Sequence, residues 1–241
     1  MADAAYSDGS KRMSMENKAV WAAGIDDELA FWTHWIATRG GQWPDDFAMR
    51  CDPAAPLQDE IARYLPHPAP SPLSLLDVGA GPMTYVGKVF GATAIDLTAV
   101  DALGDAYARL DFPPGLPLVR TKTCDSEALS RLFPSNRFDV VFSRNALDHG
   151  YDPMQAILEM IAVAKPGGLV ITLNWCNEAM RENWRGFHQW NFCVEQGRFI
   201  IADRTRRFLV NEAVQDLVDI AHLSAEDSGV VHCVMRKRTP R

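Results

Sequence analysis

The residues best suited to chemistry begin with Leu75-Leu-Asp-Val-Gly-Ala-Gly-Pro82, an apolar run that ends in a glycine turn. Glycine permits backbone conformations and close ligand approach that a Cβ would block. At the carboxyl end of a first strand, such a turn would hold nucleotide or amino-acid groups in the crevice of an open sheet. A dinucleotide fingerprint wants a third glycine at position 84, where this chain has Thr84. Val100-Asp101 follows at about the 20-residue separation expected of an acid that holds a ribose. Its carboxylate is acceptor-only, so it can take both ribose hydroxyls as donors. Cys124-Asp125-Ser126 comes after a third apolar run, where an acid could accept from an exocyclic amine. Asp and Ser are also common loop and cap residues, so this third signal is the weakest alone.

The elements that must position these residues alternate. Strand-like runs fall at 73–78, 94–100, 118–121, 138–143 and 168–173. Helix-compatible stretches at 84–90, 105–110, 127–133 and 153–164 separate them. This alternation predicts βαβ units on a mostly parallel sheet. Two further strands are expected at 198–203 and 230–236, around a helix at 211–222. Upstream, Ile25, Leu29, Trp32, Trp35 and Ile36 recur at helical spacing, and Gly40-Gly41 closes that helix. A second helical pattern at 57–65 runs into Pro66, Pro68, Pro70 and Pro72, which cannot continue it. The stretch 175–197 lacks periodicity and is crowded with polar and aromatic residues.

At 241 residues, the chain fits one α/β domain with an appendage. The net charge of -7 argues against broad phosphate-backbone binding, which leaves a basic footprint. Five cysteines are scattered without a C-x-x-C pair, so zinc-ribbon spacing is absent and a reducing cytosol is the expected setting. No metal-ligand spacing stands out among the His, Asp and Glu residues. No apolar run approaches the roughly 20 residues of a membrane span. Residues 1–17 are polar and are expected to form a disordered tail.

Asp77-Val-Gly-Ala-Gly-Pro82, Asp101, Asp125, Phe138-Asp-Val-Val-Phe-Ser143 and Lys165-Pro-Gly-Gly168 together resemble the ordered motifs of class I S-adenosylmethionine-dependent methyltransferases. The resemblance spans roughly residues 73–175, and its order and spacing are more specific than any one motif. It implies an α/β fold: a Rossmann-like seven-stranded methyltransferase sheet with helices on both faces and an N-terminal helical cap. The implied domains are a cap at 18–55 and a cofactor-binding domain at 56–241, with a substrate insertion at about 175–197. The resemblance also implies roles. Asp77, Gly79, Ala80 and Gly81 would surround the methionine part of S-adenosylmethionine, and Asp101 would hold its ribose. Ala102 and Leu103 would lie beside the adenine, with Asp125 and Ser126 at its edge. Ser143, Arg144 and Asn145 would line the sulfonium and amino-acid end. Ser143-Arg-Asn-Ala-Leu-Asp-His-Gly-Tyr-Asp-Pro153 and Gly186-Phe-His-Gln-Trp-Asn-Phe192 resemble a bacterial subset of these enzymes, some of them linked to polysaccharide or specialised-metabolite pathways, which fixes no substrate.

Methyl transfer from a sulfonium is a displacement, so alignment supplies much of the acceleration. An oxygen acceptor, the expected kind, also needs a proton removed, and histidine titrates near neutrality. His149 and His188 are the two candidate bases. Gln189, Trp190 and Asn191 beside His188 could hold a polar acceptor by stacking and hydrogen bonds. Trp35, in the aromatic stripe of the N-terminal helix, is a further candidate on the acceptor side, although such stripes more often pack as core. The expected partner is a small-molecule or glycan-type acceptor, with no nucleic acid and no membrane; a homodimer is compatible. Two other readings stay open: an NAD(P)-dependent Rossmann oxidoreductase, and a non-catalytic protein of the same fold. The absent third glycine and the late strand pair weigh against the first, and the intact glycine turn against the second.

Overall fold

A computed structural model describes residues 18–225 and 229–239. The expectation of a disordered tail at 1–17 lies outside the described residues.

Five strands run parallel in one sheet: β1 (Ser74–Val78), β4 (Asp96–Asp101), β5 (Lys122–Thr123), β6 (Phe138–Arg144) and β7 (Ala164–Trp175). β12 (Val230–Lys237) lies antiparallel to β7, and β11 (Val218–Ala225) antiparallel to β12. The spatial order is β11-β12-β7-β6-β1-β4-β5. The chain leaves β1 toward β4 and β5, then returns to lay β6 on the other side of β1. Such a reversal opens a crevice at the carboxyl ends of the strands, where open α/β sheets bind ligands. All five residues of β1 are buried, as a central strand covered on both faces requires.

Helices among the described residues include α1 (Ile25–Ala37), α2 (Pro44–Cys51), α3 (Asp59–Ala62), α4 (Gly104–Tyr107), α5 (Pro153–Val163), α6 (Glu178–Arg181) and α7 (Val210–Ala213). α5 begins cleanly because Asp152 caps it through Gln155 N–H and Pro153 occupies its first turn. It buries Ile157 and Met160 completely in the larger core cluster, beside Phe138, Val141 and Val170. Truncating either residue to alanine costs about 2–5 kcal/mol by the usual scale for core cavities. α1 and α2 enclose a smaller cluster in which Trp35, Ile36, Phe47 and Met83 pack together.

Four expectations are corrected. Residues 84–90 form no helix; the chain runs irregularly into a short strand, β2 (Val89–Phe90), paired with β3 (Thr93–Ala94). Three glycines at 81, 87 and 91 and the close seat of Gly87 against Pro56 explain this, since a Cβ there would lie 2.0 Å from the Pro56 carbonyl oxygen. The expected helix at 211–222 is cut to α7, and 218–225 becomes edge strand β11, whose Val218, Ile220 and Leu223 pack against the core. The third parallel strand lies at Lys122–Thr123, just past the expected 118–121. Finally, β9 (Arg198–Ala202) pairs with β8 (Asn191–Glu195) and β10 (Arg207–Leu209) in a separate three-stranded sheet. Lys165-Pro-Gly-Gly168 interrupts the β6–β7 register, which steps from Phe138↔Ala164 to Val140↔Leu169, with Gly167 at φ 78°.

Candidate functional site

The glycine turn leaves β1 with both glycines in the left-handed region, Gly79 at φ 71° and Gly81 at φ 62°. A Cβ on Gly79 would sit 2.2 Å from Cβ of Ala146, so β1 and the loop after β6 approach closely only because that side chain is missing. The N–H groups of Gly79 and buried Ala80 donate to the Val100 carbonyl, tying the turn to the end of β4. Asp101 closes the same corner. Its Oδ2 accepts from Gly81 N–H at 3.0 Å, and its Oδ1 from Leu103 N–H at 2.9 Å. Loss of hydration pushes its carboxyl up to about 6, partly offset by those two N–H groups.

Asp77 is buried beneath the turn. Thr84, which stands where a dinucleotide turn would have glycine, donates its hydroxyl to Asp77 and accepts from Val86 N–H. Burial pushes the Asp77 carboxyl up to about 6, while Thr84 and the cations Arg50, Lys88 and Arg144 hold it down. Arg144 lies over the Tyr85 ring at 4.0 Å. Ser143 is fully buried with no hydrogen-bond partner for its hydroxyl among the described residues, and Asn145 accepts from Trp175 N–H at 3.1 Å. Across the crevice, Leu103 is buried, Ala102 is half-buried, and Ser126 bonds to Glu127. Asp125 accepts from both Lys18 and Tyr151 at 3.0 Å.

The N-terminal segment covers this corner. A Cβ on Gly81 would lie 2.8 Å from the indole of Trp32. Trp32 in turn donates to Glu28, and Trp21, Ile25 and Leu29 pack with Leu103, Tyr107 and Phe187.

The short helical turn Leu147–His149 after β6 and the loop before β8 bring a second group together. Asp148, 1 % exposed, accepts from His188 Nδ1 at 2.9 Å and faces His149 Nε2 at 3.4 Å. The rings of His149 and His188 lie 4.6 Å apart. Burial acts against the Asp148 carboxylate, but His149 and His188 outweigh it and hold the carboxyl below its usual range. For His188, lost hydration is likewise outweighed by its bond to Asp148, and the imidazole is raised. Lost hydration and the Asp148 charge push Glu178 up to about 7. The donor atoms of Asp148, His149 and His188 all lie within 4.8 Å of one another, which a divalent cation could also use. The sequence spacing had indicated no metal ligands; the fold assembles this trio from residues 40 positions apart.

His149 also lines a cavity of about 160 Å³, together with Gly150, Tyr151, Trp184, Phe187, Gln189 and Trp190. Gln189 donates its side-chain amide to the Trp184 and Gly186 carbonyls. Trp190 donates to the Gly150 carbonyl, and Asn191 accepts from Met180 N–H at the start of β8. Trp35 stands apart from this wall, 4 % exposed in the cluster between α1 and α2. Sequence reasoning missed Asp148, although it directly precedes a candidate histidine. It also missed Trp21, Tyr151 and the turn at Asp203–Arg206, all on the cavity wall and far apart in the chain.

The residues of the first corner suit S-adenosylmethionine. The left-handed glycines leave room for close ligand approach, Asp101 offers a carboxylate beside them, and the buried Ser143 hydroxyl lacks a partner among the described residues. Against a dinucleotide, the turn does not open a helix, so it lacks the aligned N–H groups and dipole that hold a pyrophosphate.

A sequence family described as a methyltransferase domain matches residues 50–213. The chain is 27% identical over 120 residues to the chloroplastic tocopherol O-methyltransferase of Arabidopsis thaliana, covering 48% of this chain and 34% of that protein. It is 33% identical over 117 residues to an uncharacterized methyltransferase of Schizosaccharomyces pombe, covering 44% and 39%. The chain thus spans little more than a third of the length of these curated relatives. Among solved structures, it is similar to the 1,6-didemethyltoxoflavin-N1-methyltransferase of Burkholderia thailandensis, at 17% identity and TM-score 0.47, with 91% of this chain and 89% of that one covered. Among the described residues, no helix is long and apolar enough to cross a membrane.

Proposed function

The chain belongs to the methyltransferase-domain family, that of class I S-adenosylmethionine-dependent methyltransferases, and on that premise we propose that it methylates an oxygen of a small-molecule acceptor held in the cavity beside His149. The observation that carries this reading is the convergence of three features. Asp101 bonds the Gly79–Gly81 turn at the carboxyl ends of β1 and β4, and Gly79 abuts Ala146 in the loop after β6, three residues before His149 on the cavity wall.

S-adenosylmethionine would supply an electrophilic methyl group on a sulfonium. The chain's residues divide the remaining work. Asp101 would accept from the ribose hydroxyls, and Asp77 and Ser143 would hold the amino-acid end. His149 on the cavity wall takes the acceptor's hydroxyl proton as the new oxygen–carbon bond forms. Asp148 and His188, packed against the His149 ring, are positioning residues that fix its orientation. Residues 18–55 serve as a cap, and 175–197 as the acceptor-side insertion of the 56–241 domain. Five thiols without a disulfide suit a cytosolic setting.

The test is calorimetric titration with S-adenosylmethionine and with its demethylated product, using NADH as control. Saturable binding that collapses in Asp101→Ala supports the reading. Binding of NADH in place of S-adenosylmethionine sinks it.

A further inference from the structure

The cavity beside the histidine pair has walls that select one class of acceptor. Trp21, Tyr151, Trp184, Phe187 and Trp190 surround a space of about 160 Å³, close to the ~150 Å³ known to accommodate a benzene ring. Their faces are fixed in place. Trp21 stacks on Phe187 with centroids 5.4 Å apart and planes within 3°, and Trp190 is pinned through its N–H to the Gly150 carbonyl at 2.9 Å.

The polar end is the turn between β9 and β10. Asp203 Oδ1 accepts from Thr205 N–H, the Thr205 hydroxyl and Arg206 N–H, while Oδ2 takes the Arg206 guanidinium. The Asp203 and Arg206 charges therefore answer each other, and the Arg206 guanidinium lies over the Trp190 ring at 4.6 Å. Arg204 in the same turn is different. Its guanidinium rests 5.0 Å from the Trp184 ring, and no carboxylate lies within ion-pair distance of it among the described residues. A cation held on an aromatic wall without a counter-charge suits the anionic end of a ligand whose ring stacks on that wall.

We propose that this cavity binds a planar aromatic acid of one ring, with its carboxylate on Arg204 and its reacting hydroxyl toward His149. The second half of that orientation rests on the methyl-transfer reading; the first half does not.

The experiment titrates the whole chain with 4-hydroxybenzoate, its uncharged analogue 4-hydroxybenzamide, and saturated 4-hydroxycyclohexanecarboxylate, followed by ligand-observed NMR. S-adenosylmethionine affinity is measured separately on the same samples. The benzoate is expected to bind roughly fivefold more tightly than the amide, the upper value for a partly exposed ion pair, and more tightly than the saturated acid. In Arg204→Gln, an exposed and structurally tolerant position, the gap between benzoate and amide closes while S-adenosylmethionine affinity stays unchanged. Equal binding of benzoate and amide overturns the proposal, as does a gap that survives in Arg204→Gln or a saturated acid that binds as well as the aromatic one. Benzoate preference without S-adenosylmethionine binding leaves the subsite standing and removes the methyl-transfer reading. S-adenosylmethionine binding without benzoate preference does the reverse.

Discussion

His188 donates from Nδ1 to Asp148 Oδ2 at 2.9 Å, and the same oxygen lies 3.4 Å from Nε2 of His149. One buried carboxylate therefore serves two imidazoles, and its other oxygen, Oδ1, has no hydrogen-bond partner among the described residues. Holding a bare carboxylate in the interior is unfavourable unless cations face it. The pair resolves this by lowering the Asp148 carboxyl and raising the His188 imidazole.

The direction of that coupling fixes a pH response. His188 is raised, so the stability it contributes is present below the ordinary histidine value of ~6.5 and disappears as pH rises through its higher folded value. The Tm gap between the wild type and His188→Gln should be larger at pH 6 than at pH 9. Asp148→Asn removes the charge that raises His188, so in that background the difference in Tm gap between pH 6 and pH 9 should shrink. A difference that stays the same would detach Asp148 from the His188 response.

The two histidines should separate kinetically. His149 lines the cavity, and His188 does not. His149→Ala should lower single-turnover methylation by about 10²–10⁴-fold, the usual range for a general base. His188→Ala should cost less, with most of its effect in the pH profile. A loss under threefold at His149 would remove it as the base.

Asp101 predicts a cofactor effect. Its carboxyl stands at about 6, raised by lost hydration, so it is increasingly protonated below that pH and offers fewer acceptors to the ribose. S-adenosylmethionine affinity should weaken from pH 7.5 to 5.5, and Asp101→Ala should lose about 10- to 100-fold at pH 7.5, as expected for hydrogen bonds to a charged group. Calorimetry at the two pH values checks both effects. A flat pH response would mean that Asp101 does not hold the ribose.

Much of this was legible in the chain because it is local. The β1 run with its glycines, Asp101 one strand later, and α5 with its Asp152-Pro153 start are each signalled by neighbouring residues. The lost helix at 84–90 was not, because it is overridden by the seat of Gly87 against Pro56, a contact set by packing. The helix at 211–222 failed likewise: pairing with β12 converts its second half to an edge strand. The cavity beside His149 and the place of Arg204 on it were hidden for the same reason, since the lining comes from the N-terminal segment, the loop after β6 and the separate sheet.

Gly81 and Trp32 give a test of the cap. Gly81→Ala would strain a left-handed position, costing about 1–2 kcal/mol, and press its Cβ against the indole. Removing the indole in Gly81→Ala/Trp32→Ala should recover the steric part and leave the backbone part. Urea denaturation of the two single variants and the double variant separates these contributions. Strict additivity would mean that the cap does not rest on the glycine turn.

The Asp148–His149–His188 trio also makes a prediction about metals. Its donor atoms are close enough for a divalent ion, and Zn²⁺ favours imidazole and carboxylate ligands. Zinc bound there would take the lone pairs that His149 needs as a base. Added Zn²⁺ should therefore inhibit methyl transfer, EDTA should reverse the inhibition, and His188→Ala should weaken it. Enzyme exhaustively dialysed against EDTA should retain full activity. If dialysis abolishes turnover and a divalent ion restores it, the trio is a metal centre and the base assignment to His149 is wrong.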